Sequence, residues 1–196
     1  FGHGMYMYYS DYDLLDQVEI NEGGDGNGLY LYHVLDSTIS NTYISETSEG
    51  NGIYADYADD TTFENIEVYE EGNGNGIKLY DTYNNEFLGL DISSYGWGNA
   101  FRADEADGLY VNGANVTSYD HGNGFNIYDT TNITLLNVTA SGNAGNGAHF
   151  LGNSGDLVIQ NSTFNGNGTA MGEEEDVYFI EEFEIPCGSG IMIEEH

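Results

Sequence analysis

The chain has 196 residues, which suffices for one domain with a substantial core but is short for two. Its 34 acidic side chains are opposed by only 2 basic ones, giving a formal net charge of −32. Such a surface repels phosphate groups, so the composition excludes nucleic acids as partners and insertion into anionic membranes. The 17 tyrosines and 9 phenylalanines exceed what a disordered acidic segment carries, so we expect a folded domain.

A repeat of 24 residues organises most of the chain. The segments GMYMYYS, GLYLYHV, GIYADYA, GIKLYDT, AFRADEA and GFNIYDT begin at residues 4, 28, 52, 76, 100 and 124. Further copies begin at residues 147, 168 and 190. The first and third residues after the opening residue are apolar, whereas the second and fourth are mostly polar or tyrosine. This alternation is typical of a β-strand with one buried face.

A second strand is predicted in each repeat, in segments such as TYISET, FENIEVY, ITLLNVT and LVIQNST. A unit of this size cannot bury its apolar face alone, so consecutive units are expected to stack. Asparagine recurs at one position of the same lattice, where its side chains can hydrogen-bond along the stack. The residues at this position are Asn41, Asn65, Gly89, Gly113, Asn137 and Asn161.

The segment HGNGFNIYDTTNITLLNVTASGNAGNGAHF, residues 121–150, shows the repeat most clearly. It resembles the right-handed parallel β-helix of the pectate-lyase-like superfamily, with repeats similar to those of periplasmic copper-maturation proteins and mannuronan epimerase modules. The resemblance implies an all-β solenoid of about eight rungs with no obvious caps. We expect one domain over residues 1–196, with an atypical acidic final rung at 171–190. Because this solenoid hosts lyases, epimerases, tailspikes and adhesins, the fold leaves the function open.

Gly-Asn pairs precede the first strand of most repeats, as in EEGNGNGIKLYD, residues 70–81. We expect them to form a corner in which glycine and asparagine supply positive φ angles. A phosphate-binding loop would need a following Lys-Ser/Thr and a helix, and the sequence supplies neither. The alternative is a bound calcium ion, with Asp25 in GGDGNGLYL as a ligand.

Stacking the repeats generates columns of outward-facing residues on the first strand. One column contains Tyr54, Lys78, Arg102 and Asn126. The neighbouring column contains Asp56, Tyr80, Asp104 and Tyr128. The two basic side chains are therefore expected on adjacent rungs, about 4.8 Å apart.

The resemblance to polysaccharide lyases implies a sugar-binding groove on the outer face of this first sheet. It implies that Lys78 or Arg102 is the base of a β-elimination, while Asp56 and Asp104 hold calcium. The substrate-binding residues that it implies are Tyr54 and Tyr80, as a stacking platform for sugar rings, together with Asn126 and Tyr128. The alternative is that the two cations merely relieve repulsion on an acidic wall through Asp56 and Asp104.

Several Asn-X-Ser/Thr sequons favour an extracellular or cell-surface location, with Asn115, Asn132 and Asn167 as the predicted glycosylation sites. The single cysteine, Cys187, excludes an internal disulfide. It is either a free thiol or the site of an intermolecular disulfide.

The last apolar segment, GIMIEEH, aligns with the first, GMYMYYS, so the chain is expected to continue itself by stacking. We therefore expect a structural protein that polymerises head-to-tail with itself into a filament, fibre or sheath. One alternative is a carbohydrate-active enzyme (a polysaccharide lyase or epimerase) or a carbohydrate-binding β-helix, with a polysaccharide as the partner. A second alternative is a calcium-binding adhesin fragment. Enzyme activity is the less favoured expectation, and calcium is the cofactor considered.

Overall fold

The structure, a computed structural model, describes residues 2–166 and 191–194. Within these residues every regular element is a β-strand, and the strands stack in parallel into a solenoid of about 7 turns of about 24 residues. This confirms the all-β parallel solenoid expected from the sequence, with close to the expected number of rungs. No helix in the described ranges is long and apolar enough to cross a membrane.

Each turn of the solenoid contributes to two series of strands. The strands are β1 (Met5–Asp11), β2 (Leu14–Asp16), β3 (Glu19–Glu22), β4 (Leu29–Leu35), β5 (Thr38–Glu46), β6 (Ile53–Asp56), β7 (Thr62–Glu70), β8 (Ile77–Tyr83), β9 (Glu86–Ser94), β10 (Phe101–Asp107), β11 (Tyr110–Ser118), β12 (Phe125–Tyr128), β13 (Thr131–Asn143), β14 (Ala148–Leu151), β15 (Ser154–Gln160), β16 (Thr163–Gly166) and β17 (Ile191–Glu194). The first sheet consists of β1, β4, β6, β8, β10, β12, β14 and β17, paired in that order. The remaining strands complete the turns.

The core is a stack of apolar side chains from successive turns. Period-two alternation turns Leu29 and Leu31 inward, and both are fully buried. Phenylalanines continue the stack, with the Phe63 and Phe87 rings 4.5 Å apart and nearly parallel at 7°. Burying one such side chain contributes about 1.5–3 kcal/mol, so this internal column supplies much of the stability of the solenoid.

The Gly-Asn corners do not use the positive φ angles expected from the sequence. Among the described glycines, those with positive φ lie elsewhere, and neither Gly50 nor Gly74 is one of them. The corners need glycine because the backbone of each turn lies directly against the previous one. A Cβ added at Gly74 would overlap the carbonyl oxygen of Gly50, and one at Gly50 would overlap that of Gly26.

The corner asparagines form a hydrogen-bonded ladder. The backbone N–H and the side-chain Nδ2 of Asn51 both donate to Oδ1 of Asn27, each at 2.9 Å. The same pattern passes through Asn75 and Asn99 to Asn123. Asparagine is therefore selected at the corner because its carboxamide satisfies the backbone N–H of the next turn.

Positive φ occurs instead at the second asparagine position, inside the longer strands. Asn41, Asn65, Gly89 and Gly113 have φ angles of 48°, 52°, 71° and 75°. Nδ2 of Asn65 donates to Oδ1 of Asn41 at 3.2 Å, so hydrogen bonding along this position is confirmed for that pair. Asparagine and glycine suit this position because they tolerate the left-handed bend that turns the strand.

Candidate functional site

The outer face of the first sheet brings together the side chains expected from the 24-residue register. Lys78 pairs with Tyr54 on one side and with Arg102 on the other, and Arg102 pairs with Asn126. In the neighbouring column, Tyr80 lies between Asp56 and Asp104. The intervening residues of each strand point inward and are buried, which fixes these side chains outward. We call this surface the first-sheet face.

Lys78 lies against an aromatic ring. Its Nζ is 5.0 Å from the centroid of the Tyr54 ring, which is a cation–π geometry. The opposite face of Tyr54 is covered by Tyr30, whose ring centroid lies 5.1 Å away at an interplanar angle of 3°. Both faces of Tyr54 are therefore occupied. Tyr54 can offer a ligand its hydroxyl and ring edge, but no free face for stacking against a sugar.

Arg102 is held in place by Asp104. Its Nε donates to both carboxylate oxygens of Asp104, at 2.9 and 2.8 Å. The Asp104 side chain is only 9% exposed, whereas the Arg102 side chain is 40% exposed. Because the pair uses only Nε, the two terminal guanidinium nitrogens are left for a ligand. A planar guanidinium fixed in this way suits bidentate binding of a carboxylate.

Asp56 is hydrogen-bonded to Tyr30, which belongs to the tyrosine column on the rungs before Lys78. Its Oδ2 accepts a hydrogen bond from the Tyr30 hydroxyl at 3.1 Å, while its buried Oδ1 has no partner among the described residues. Burial and the charge of Asp56 raise the pKa of Tyr54 to about 12, and both effects also raise the pKa of Tyr30. Both hydroxyls therefore remain protonated and can act as donors at neutral pH.

The far end of the face is polar. Nδ1 of His149 lies 3.1 Å from Oδ1 of Asn126, within hydrogen-bonding distance. Tyr128 follows Asp104 in its column, and a hydrogen bond to Asp129 raises the pKa of its hydroxyl. The face thus offers amide, imidazole and phenol groups beyond the two cations.

The near end of the face is aromatic. Tyr6 stacks on Tyr30 with ring centroids 4.9 Å apart, and Tyr8 stacks on Tyr32 at 5.4 Å. A third column, which the sequence interpretation did not identify, consists of Tyr9, His33 and Tyr57. Its backbone has positive φ at each residue, so the column lies on a bend, which falls inside β1 and β4 and directly after β6. The 24-residue register alone would have revealed it.

No group of three or more His, Cys, Asp or Glu side chains in the described part of the chain is arranged to hold a metal ion. Asp25 lies exposed at its corner, where it accepts a hydrogen bond from Ser48 Oγ at 3.5 Å. Asp56 and Asp104 are separated by the rung that carries Tyr80. Calcium binding by these residues stays a prediction.

The predicted glycosylation sites differ in their surroundings. Asn115 is exposed in the middle of β11. The carboxamide of Asn132 is also exposed, but it donates to Asp107 Oδ1 at 3.0 Å. Asn167, Cys187 and the acidic rung at 171–190 lie outside the described residues. Glycosylation, the intermolecular disulfide and the modified rung therefore remain predictions.

The family model for the right-handed β-helix region matches residues 1–118, which is more than half of the chain. The chain therefore belongs to the right-handed β-helix family, as its sequence resemblance implied. No match was found among curated protein sequences.

Two solved structures are similar to this chain. The periplasmic alginate epimerase AlgG is 13% identical with a TM-score of 0.59, over 80% of this chain and 35% of its own. The tailspike protein gp49 from Pseudomonas phage LKA1 is 16% identical with a TM-score of 0.47, over 82% of this chain and 28% of its own. The chain thus spans only about a third of the length of these structures. Its likeness to the epimerase is one of fold.

Proposed function

We propose that the chain is a carbohydrate-binding β-helix whose first-sheet face binds a polysaccharide containing acidic sugars. The observation that carries this proposal is the position of Lys78 and Arg102. They are the only 2 basic residues in a chain of net charge −32, and they lie on adjacent rungs of one column.

Placing two like charges side by side opposes folding. At a separation of about 4.8 Å and an effective dielectric of about 20, two cations repel by about 3 kcal/mol. If their role were only to relieve acidic repulsion, each would be expected to pair with a carboxylate. Arg102 does so with Asp104, but Lys78 contacts Tyr54 and forms no ion pair with any described residue. An anionic ligand that contacts both side chains would account for the position of both cations.

Each group on the face has a role in this proposal. The terminal nitrogens of Arg102 bind a sugar carboxylate, and Lys78 neutralises the same group or the next one along the polymer. The Tyr54 and Tyr80 hydroxyls, with Asn126 and Tyr128, hydrogen-bond the sugar hydroxyls. Binding is proposed as the main function. Lys78 as the base of a β-elimination, with calcium at Asp56 or Asp104, is the catalytic extension of the same site.

Titration calorimetry with a hexauronate tests the proposal. We expect the Lys78→Gln/Arg102→Gln double variant to lose binding. A matched control is Gln160→Glu/Thr163→Glu, because both positions are exposed on other strands and the change in net charge is the same. Equal weakening in both variants would mean that only overall charge matters. An absence of uronate binding by the unaltered protein would also refute the proposal.

A second candidate function is head-to-tail assembly into a filament or sheath. It is favoured by the aromatic columns of the first-sheet face, in which Tyr6 and Tyr8 are 49% and 56% exposed and stack on Tyr30 and Tyr32. Stacked, exposed tyrosine rings of this kind can pack against the same columns of another subunit. Electron microscopy with and without a calcium chelator tests this. Fibres with an axial repeat of about 4.8 Å support assembly, their loss in chelator assigns calcium to the contact, and monomers in both conditions refute it.

Both candidate functions suit an extracellular or cell-surface protein, which we propose as the location. The acidic surface and the exposed sequon at Asn115 support it. Digestion of the native protein with a glycosidase, followed by mass spectrometry, tests this location through the occupancy of Asn115.

A further inference from the structure

Glutamate side chains are stacked inside the solenoid, where the strands lead into the Gly-Asn corners. Glu22, Glu46 and Glu70 occupy equivalent positions at the ends of β3, β5 and β7. Alternation along each strand turns this position inward, and Glu46 and Glu70 are both 0% exposed. Ser94 and Ser118 occupy the position in the next two turns. Two adjacent buried carboxyl groups cannot both be charged without a large desolvation and repulsion energy.

The hydrogen bonds of the two buried carboxyl groups differ. Oε1 of Glu46 accepts from the backbone N–H of Ser48 at 2.7 Å, whereas its buried Oε2 has no partner among the described residues. In Glu70, Oε1 accepts from Gly74 N at 3.2 Å and Oε2 accepts from the Ser94 hydroxyl at 2.8 Å. Glu70 is therefore solvated by the protein on both oxygens. Glu46 has an orphaned oxygen, which an ionised carboxylate could not sustain without a large penalty.

The surroundings of Glu46 contain no compensating charge. Glu22 faces it from β3 and Glu70 from β7, and Glu71 lies at the corner beyond Glu70. The two basic residues of the chain lie on the outer face of the first sheet. Burial, followed by the charges of Glu70 and Glu22, raises the pKa of Glu46 to about 7, and burial also raises the pKa of Glu70.

We propose that Glu46 and Glu70 form a buried proton-binding pair, in which Oε2 of Glu46 carries the proton and its loss loosens the neighbouring corners. Glu46 holds the corner that leads into β6 through Ser48, and Glu70 holds the corner that leads into β8 through Gly74. These strands carry Tyr54 and Lys78. The protonation state of the pair therefore affects the two corners that position these strands of the first-sheet face. This inference does not require that the face binds sugar.

The direction of the pH effect follows from the raised pKa. An unfolded glutamate loses its proton near pH 4.5, whereas the folded Glu46 keeps its proton up to about pH 7. Between these values the folded state binds more protons than the unfolded state, so stability contributed by this group falls as the pH rises. Above about pH 7 Glu46 is charged in both the folded and the unfolded state. The cost of burying that charge then lowers stability by an amount that no longer changes with pH.

The test compares Glu46→Gln with Glu67→Gln by urea unfolding from pH 4.5 to 8.5. Glutamine keeps the acceptor for Ser48 and replaces the proton with an amide donor, while Glu67 is an exposed glutamate of β7 that matches the charge change. We expect Glu46→Gln to become more stable relative to Glu67→Gln as the pH rises. By pH 8 the ratio of their two unfolding constants should have changed by about a hundredfold. A difference that is independent of pH would overturn the proposal.

Carbon-13 NMR of the glutamate carboxyl groups gives a readout that does not depend on a variant folding. In the unaltered protein, we expect one carboxyl group to titrate near neutral pH, and this signal to be missing in Glu46→Gln. If every glutamate carboxyl group titrated in the ordinary acidic range, the pair would hold no proton at neutral pH and the proposal would be wrong.

Discussion

Lys78 and Tyr54 form a cation–π pair on adjacent rungs, with Nζ 5.0 Å from the ring centroid. Because Tyr30 covers the other face of the same ring, the lysine terminates a column of stacked tyrosines. This relationship fixes where the ammonium group lies on the first-sheet face. It also changes the role expected for Tyr54, which contributes its hydroxyl edge to a ligand and its face to Lys78.

The pair has a measurable coupling energy. We expect a double-mutant cycle with Lys78→Met and Tyr54→Leu to give a coupling of about 0.5–1 kcal/mol in the free energy of unfolding. Lys78→Met also loses favourable long-range attraction to the acidic surface. This loss is the same with Tyr54 present and in the Tyr54→Leu background, so it cancels in the cycle. Urea denaturation measures it, and strictly additive effects of the two substitutions would show that the contact contributes nothing.

The geometry of Arg102 matters beyond its charge. Arg102→Lys keeps the net charge but loses both the Nε contacts to Asp104 and the planar fork. We expect about tenfold weaker binding of a hexauronate, which corresponds to about 1.4 kcal/mol. Lys78→Arg serves as the control, because it exchanges the same two residue types at the neighbouring rung. Calorimetry that finds unchanged affinity for Arg102→Lys would contradict the role given to the fixed guanidinium.

The internal phenylalanine stack contributes strongly to stability. Phe87 is 0% exposed and stacks on Phe63, so Phe87→Ala should lower the free energy of unfolding by about 3–5 kcal/mol. Tyr83 is 50% exposed in the neighbouring strand, and Tyr83→Ala should change stability by less than about 0.5 kcal/mol. Urea denaturation of both variants checks the contrast. Similar losses would mean that the core does not lie where the structure places it.

The corner glycines are required for close backbone approach. Gly74→Ala would place a methyl group on the Gly50 carbonyl oxygen, so we expect a loss of about 1–3 kcal/mol. Gly2→Ala is the matched control, since no atom lies within 4 Å of the added Cβ. Thermal unfolding compares the two. If Gly74→Ala were as stable as Gly2→Ala, the tight contact between turns would be absent.

The repeat made most of the fold predictable. A period of 24 residues determines which residues pair across rungs, and it correctly placed Lys78 beside Arg102 and Tyr80 between two aspartates. Alternation within each strand determines which side chains are buried. Followed to the end of β5 and β7, the same alternation turns Glu46 and Glu70 inward, a placement that was not predicted from the sequence because glutamate is rarely fully buried.

Two features could not be read from the repeat. Glycine at a corner fits either positive φ or close backbone contact, and only the distance between turns shows that Gly74 needs the second. The register brings Tyr30, Tyr54 and Lys78 together, but side-chain orientation decides whether a ring face stays open. Here Tyr30 and Lys78 cover both faces of Tyr54, so Tyr54 offers a hydrogen-bonding edge in place of the predicted stacking face.

The most direct test of the central claim is NMR of the Lys78 ammonium and Arg102 guanidinium groups during titration with a hexauronate. Because the chain has only 2 basic residues of different type, both signals are assigned by residue type alone. We predict that both shift and saturate with one dissociation constant. Binding of the hexauronate with neither signal shifting, or no binding at all, would contradict recognition of acidic sugars by the first-sheet face.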